Sequence, residues 1–96
     1  DEIVEGIKYG VRKVNIDTDL RMASTGSIRQ FLMQADNAAN IDPRKFLKAS
    51  TAAMQAICQA RYEAFGSAGH ASKIHAISLI DMVDRYASGA LDTATG

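Results

Sequence analysis

The spacing of apolar residues changes along the chain and predicts helices on both sides of a single strand. Apolar residues at intervals of three and four in 1–10 are followed by a glycine, which indicates a short helix that ends there. The stretch 11–17 is rich in β-branched residues and predicts a strand. Apolar residues return to helical spacing over 18–34, which predicts a second helix.

The remaining segment, 42–96, predicts helices only. Asp42 is a favourable N-cap and Pro43 a favourable first residue for a long amphipathic helix that ends at Gly66. A shorter helix is predicted to begin after Ser78, which can act as its N-cap.

The lone strand decides the predicted fold class. A strand cannot satisfy its own backbone N–H and C=O groups, and leaving such groups buried without a partner is costly. A helix, a strand and a helix form the repeating unit of a parallel sheet, but 1–96 contains no second convincing strand. The sequence therefore predicts an α/β fold to which this chain contributes the last piece.

Composition narrows the choice of partners. Lys plus Arg and Asp plus Glu number 11 each, so neither a nucleic-acid nor a membrane-surface partner is indicated. No apolar run is long enough to cross a membrane. The single cysteine, Cys58, excludes an internal disulfide and fits a reducing compartment, so a cytoplasmic location is expected. Cys58 itself is interpreted as a small core residue and not as a reactive thiol.

The stretch "VNIDTD" holds the first candidate site. On a strand Asn15 and Asp17 share one face while Val14 and Ile16 share the other, and no basic residue stands beside the amide and the acid. The carboxyl end of a parallel strand is where binding sites are built, and an amide with a carboxylate suits a polyhydroxy ligand. Thr18 can donate to a phosphate near the helix start. A polar cluster that merely caps the helix is the alternative, and the pattern leaves both open.

Arg44 is the second candidate, in the first turn of the long helix. A cation is disfavoured there by the helix dipole, whereas a helix start with an arginine is a suitable phosphate site. On pattern alone a solvated surface arginine is the better interpretation.

The two histidines, His70 and His75, are five residues apart. This spacing does not bring both side chains to one helical face, and no further ligand completes a tetrahedral metal site. We interpret both as exposed loop residues.

Three stretches resemble the C-terminal part of class II, metal-dependent fructose-bisphosphate aldolases, in particular the Calvin-cycle subtype of bacteria. They are "GIKYGVRKVNIDTDLRMASTGSIRQFL", "DPRKFLKAS" and "ARYEAFGSAGHASKI". The resemblance implies a (β/α)8 TIM barrel, to which this chain would contribute its last strand and helix and a C-terminal helical extension. Residues 1–10 would end helix 7, 11–17 form strand 8, 18–34 form helix 8, and 42–96 form the extension.

The resemblance also implies a reaction, the reversible cleavage of fructose 1,6-bisphosphate into dihydroxyacetone phosphate and glyceraldehyde 3-phosphate with Zn²⁺ as cofactor. It places Asn15, Ile16, Asp17 and Thr18 at the dihydroxyacetone phosphate part of the substrate, with Asp17 as the catalytic residue that orients the intermediate. Arg44 matches an arginine that reaches a neighbouring subunit of a homo-oligomer to hold the distal phosphate.

The zinc ligands are expected upstream of this segment, and neither histidine here matches them. Two rivals remain. One is an aldolase for another ketose bisphosphate, of tagatose or sedoheptulose, because the residues in question contact parts common to these substrates. The other is a non-catalytic helical interaction module, against which the predicted strand argues.

Overall fold

The computed structural model of the chain describes residues 2–92, and regular secondary structure within them is entirely helical. Four α-helices are joined by loops that include two single turns of 3-10 helix. The α-helices are α1 (Glu2–Lys8), α2 (Thr18–Met33), α3 (Pro43–Ala64) and α4 (Leu79–Ala87), and the 3-10 turns are Ala35–Asn37 and Ala71–Lys73. None of the α-helices in 2–92 is both long and apolar enough to cross a membrane.

The predicted strand over 11–17 is not formed in this structure, where the segment has no regular secondary structure. The physical reason is that a strand needs a neighbour for its backbone groups, and residues 2–92 contain no strand that could pair with it. The predicted alternation of sides is nevertheless present at its end. Val14 and Ile16 are half-buried, whereas Asn15 and Asp17 are exposed.

Local capping explains where the later helices begin. The Asp42 side chain accepts a hydrogen bond of 3.0 Å from the backbone N–H of Arg44, and Pro43 is the first residue of α3, as predicted. At the start of α4, the Ser78 hydroxyl accepts from the backbone N–H of Asp81 at 3.1 Å. The same hydroxyl donates to the Asp81 carboxylate at 2.7 Å, which ties the first turn of α4 together.

Among the described α-helices, α2 and α3 form the one closely packed pair. Asp19 near the start of α2 contacts Arg61 near the end of α3, and Ser24 contacts Ser50 further along, so the two helices are antiparallel. The hydroxyl oxygens of Ser24 and Ser50 are 2.6 Å apart. Ser50, at 4% exposure, is the most buried residue that the structure describes. No apolar side chain in residues 2–92 is fully buried.

The chain exposes far more surface than a compact protein of its mass. Its accessible area is 8230 Å², whereas a compact 10.3 kDa protein exposes about 5,400 Å². The radius of gyration is 20.1 Å, against about 12.5 Å expected for a compact chain of this length. On α4 the side chains of Leu79 and Ile80 are 80% and 74% exposed. Exposed apolar side chains of this kind are typical of surfaces that contact other molecules.

Candidate functional site

Asp17 lies at the junction between the irregular segment 11–17 and α2. It occupies the N-cap position with φ −127° and ψ −59°, yet its side chain caps no backbone N–H. The carboxylate instead accepts a hydrogen bond of 2.9 Å from Nε of Arg21, one turn further along α2. The expectation that Asp17 has no basic partner is therefore wrong. Both side chains are highly exposed, at 70% for Asp17 and 77% for Arg21, and exposed pairs of this kind are weak enough to yield to a ligand.

Asn15 and Thr18 flank this carboxylate in sequence, and both are exposed. Thr18 is the first residue of α2, which has 16 residues. The first N–H groups of a helix have no acceptor within the helix, and the helix dipole favours an anion beside them. Asn15, Asp17 and Thr18 therefore present an amide, a carboxylate, a hydroxyl and a helix N-terminus to solvent together.

Ile16 differs from its neighbours because its side chain lines an apolar groove of about 580 Å³. This groove lies between α1, the segment 11–17, the start of α2 and the end of α3, and Asn15 and Asp17 do not line it. The Ile16 side chain therefore faces a different part of the surface from the side chains of Asn15 and Asp17. The groove is lined by Ile7, Val11, Arg12, Lys13, Val14, Ile16, Leu20, Ile57, Cys58, Arg61, Tyr62, Phe65 and Ser67.

Arg44 is held by its own helix start. Its guanidinium forms a fork with the carboxylate of Asp42, with distances of 3.0 and 3.2 Å from Nε and 2.9 Å from Nη2. The hydrogen bonds from the side chain and then from the backbone N–H of Arg44 hold the pKa of Asp42 below its ordinary value. The same side-chain contact raises the pKa of Arg44. The Arg44 side chain is 90% exposed, so it is available to a second partner.

The structure does not bring Arg44 together with Asp17. The two residues lie at the N-termini of α3 and α2, and these helices are antiparallel. The length of α2, with 16 residues, places about 24 Å between its two ends. A small ligand bound beside Asp17 is therefore out of reach of Arg44 of the same copy.

Comparison with known proteins decides the family. The family model described as fructose-bisphosphate aldolase class-II matches residues 1–70. The chain belongs to the class II fructose-bisphosphate aldolase family. The resemblance drawn from the sequence motifs is thereby confirmed, and the matched region contains every candidate site residue named above.

Individual members of this aldolase family align along nearly the whole chain. A fructose-bisphosphate aldolase of Stutzerimonas stutzeri is 68% identical over 96% of the chain and 25% of its own length. One of Pseudomonas aeruginosa is 66% identical over the same shares of the two sequences. Fructose-bisphosphate aldolase 2 of Rhodobacter capsulatus is 60% identical over 99% of the chain and 82% of its own length. The chain thus spans about a quarter of the length of the first two relatives.

A metal site among the described residues would need a cluster of metal-ligating side chains. Among residues 2–92, no group of three or more His, Cys, Asp and Glu side chains is placed to hold a metal ion. His70 and His75 are exposed, as predicted, and Nδ1 of His70 lies 3.3 Å from Nζ of Lys73.

Two partners of the candidate site escaped the sequence analysis. Arg21 follows Asp17 at the i,i+4 spacing of a helix, a local signal from which the ion pair could have been predicted. Arg61 lies 42 residues from Asp19, and its Nη2 donates to Asp19 Oδ2 at 2.6 Å. That contact depends on how α2 packs against α3, so no local pattern in the sequence indicated it.

Proposed function

We propose that this chain is the C-terminal part of an enzyme that reversibly cleaves fructose 1,6-bisphosphate into dihydroxyacetone phosphate and glyceraldehyde 3-phosphate. The match of residues 1–70 to the class II aldolase family and the names of the relatives support this activity. In the full protein, 11–17 forms the last strand of a (β/α)8 barrel and α2 forms the last barrel helix. The observation that carries the proposal for this segment is the exposed set of Asn15, Asp17 and Thr18 at the start of α2.

The alternation at the end of the segment 11–17 supports its place in a barrel. Val14 and Ile16 line the apolar groove between the helices, as outward-facing residues of a barrel strand would. Asn15 and Asp17 lie outside that groove and are exposed. They would then point toward the carboxyl-terminal mouth of the barrel, where such enzymes bind their substrates.

Each polar group has a distinct role in this proposal. The Asp17 carboxylate accepts hydrogen bonds from substrate hydroxyls and orients the three-carbon intermediate, and the Asn15 amide donates to one oxygen and accepts from another. Thr18 donates its hydroxyl and backbone N–H to the phosphate of the dihydroxyacetone phosphate half, with the N-terminus of α2 behind it. Ile16 contributes through its backbone. Asp17 must exchange its exposed pair with Arg21 for the substrate, which costs little because that pair is solvated.

Arg44 holds the distal phosphate of a substrate bound to a neighbouring copy in a homo-oligomer. Its distance from Asp17 within one copy supports this assignment, because a single sugar bisphosphate cannot span α2 from end to end. Its 90% exposure and its position in the first turn of α3 suit contact with an anion outside its own chain.

The metal belongs to another part of the enzyme in this proposal. Zinc would supply the positive charge that stabilises the developing enediolate, and its ligands lie outside this segment, since the described residues offer no suitable cluster. This segment then contributes substrate binding and orientation. The single cysteine, Cys58, is free, which accords with an enzyme of the reducing cytoplasm.

Steady-state cleavage kinetics of the full-length protein with Asp17→Ala test the proposal. We expect kcat to fall by roughly 100-fold or more, because an interaction with the reacting atoms is lost. Zinc content and melting temperature should stay unchanged, since Asp17 is exposed and is not a zinc ligand in this proposal. Asp36→Ala is the matched control, an exposed acid in the 3-10 turn that follows α2. Turnover of Asp17→Ala close to that of the wild type would remove Asp17 from the site.

The same assay discriminates between substrates. Fructose, tagatose and sedoheptulose bisphosphates share the dihydroxyacetone phosphate half that Asn15, Asp17 and Thr18 are proposed to hold. The proposal predicts that Asp17→Ala impairs cleavage of all three and that wild-type kcat/KM is highest for fructose 1,6-bisphosphate. A higher kcat/KM for another of the three would assign the enzyme to that substrate.

A further inference from the structure

The Asp19–Arg61 ion pair is the contact that joins the start of α2 to the end of α3. The distance between Nη2 of Arg61 and Oδ2 of Asp19 is 2.6 Å. Both side chains are partly buried, at 35% exposure for Arg61 and 45% for Asp19. An acid in the first turn of one helix and a base in the last turn of the other are each favoured by the helix dipoles. The pair therefore has a geometry that both helices support.

This contact lies next to the candidate site. Asp19 follows Thr18 directly, and Arg61 lines the same groove as Ile16. Of the side-chain hydrogen bonds described in the structure, two join α2 to α3, and the other, between Ser24 and Ser50, lies more than a turn further along α2. The Asp19–Arg61 pair is thus the interhelical hydrogen bond described nearest to the proposed phosphate-binding residues.

The candidate site has little else to fix it. Asn15, Asp17 and Thr18 are exposed, and the ion pair of Asp17 with Arg21 lies within α2 and moves with that helix. The side chains that anchor the segment before α2 are only half-buried. A contact from α3 to the first turn of α2 is therefore well placed to set the direction of the helix N-terminus.

We propose that Arg61 is a positioning residue that, through Asp19, fixes the first turn of α2 and so holds Asp17 and Thr18 in line for a phosphate-bearing ligand. This inference rests on the proposed function, because it assigns Arg61 a role in that same site. Arg61 itself does not contact the substrate. Its loss should misplace the donors at the start of α2, and small displacements of binding groups can reduce the rate up to about 100-fold.

Kinetics of Arg61→Met in the full-length protein test the inference, with KM, kcat and inhibition by inorganic phosphate measured separately. We expect KM for fructose 1,6-bisphosphate to rise, so that kcat/KM falls by roughly tenfold, and phosphate inhibition to weaken by a similar factor. The melting temperature should fall by about 4 °C or less, because a solvated pair contributes little to stability. Arg61→Lys should retain most of the affinity, and adding Asp19→Asn to Arg61→Met should cause little further loss, since the two residues act as one unit.

Ser24→Ala and Ser50→Ala are the matched controls for a general weakening of the contact between α2 and α3. Each removes the other hydrogen bond between α2 and α3, with a small stability cost of similar order. The inference predicts that these variants lose thermal stability while KM and phosphate inhibition remain at wild-type values. Equal losses of affinity in the serine variants, or an unchanged KM in Arg61→Met, would overturn it. Failure of the wild type to cleave any ketose bisphosphate would instead overturn the proposed function and this inference with it.

Discussion

The chain produced on its own should not fold as a cooperative domain. Its described helices bury one residue, Ser50, and leave the apolar faces of α1 and α4 without a packed partner helix. In the proposed full-length enzyme those faces would meet the rest of the barrel and other subunits. The experiment is therefore to express residues 1–96 alone and to compare their unfolding with that of the full-length protein.

The expected stability of the isolated chain can be estimated from the surface that it leaves exposed. An unfolded chain of 10.3 kDa exposes about 14,900 Å², and a compact protein of this mass hides about 64% of it. With 8230 Å² still accessible, this chain hides only about 45%. Conformational entropy opposes folding at every ordered residue, so the smaller burial should leave the isolated chain without net stability.

Circular dichroism and calorimetry measure this directly. A cooperative domain of 96 residues would unfold with an enthalpy of about 65–70 kcal/mol near 60 °C. We expect the isolated chain to show partial helix content, mainly from α2 and α3, and a broad transition with less than half that enthalpy. The full-length protein should melt sharply in the same buffer. A monomeric chain with a sharp transition of full enthalpy would contradict this prediction and favour a self-contained helical interaction module.

Two further predictions concern the start of α3. Arg44→Ala in the full-length protein should raise KM for fructose 1,6-bisphosphate by roughly tenfold or more with little change in kcat, and Arg44→Lys should restore only part of the loss, because lysine cannot form the fork. An unchanged KM would make Arg44 a surface residue. The lowered pKa of Asp42 predicts that its capping contribution is complete above about pH 4 and is lost as the pH falls through the lower folded-state value. A carboxyl NMR titration should show the lowered pKa of Asp42. In Arg44→Ala that pKa should rise only part of the way to its ordinary value, since the backbone hydrogen bond remains. An ordinary pKa of Asp42 in the wild type would contradict the prediction.

Local sequence signals predicted the helix starts and the family but could not predict contacts between elements. Asp42 and Pro43 form a start signal that depends on a few adjacent residues, and α3 begins where they indicate. The helix predicted over 18–34 agrees with α2 to within a residue for the same reason. The motif at 14–19 identified the family because its residue types are specific in that order.

The strand and the ion pairs are the features that local sequence signals could not predict fully, because they depend on contacts between side chains or segments. A strand over 11–17 forms only when its backbone is hydrogen-bonded to a neighbouring strand. The residues of the segment predict its preference for the extended conformation but do not provide that neighbouring strand. The pair of Asp19 with Arg61 likewise depends on the packing of α2 against α3. The fork between Arg44 and Asp42 is local, but the sequence alone left open whether the guanidinium would turn toward its own cap or toward solvent.

In the proposed enzyme, one sugar bisphosphate is held by Asp17 of one copy and Arg44 of another. Co-expression of full-length Asp17→Ala and Arg44→Ala subunits with different tags, followed by purification on both tags, tests this arrangement. In a mixed oligomer, Asp17 of an Arg44→Ala subunit can share a site with Arg44 of an Asp17→Ala subunit, and that site is intact.

At a substrate concentration well below KM, where the Arg44→Ala parent is slow, mixed oligomers should recover cleavage well above both parents. A doubly tagged dimer with one restored site of two should reach about half of the wild-type rate. A mixture of Asp17→Ala and Asn15→Ala subunits is the control that should not recover. Each site takes both Asn15 and Asp17 from the same copy, so every site in this mixture still lacks one of the two side chains. Mixed oligomers no more active than the average of their parents would contradict the shared site.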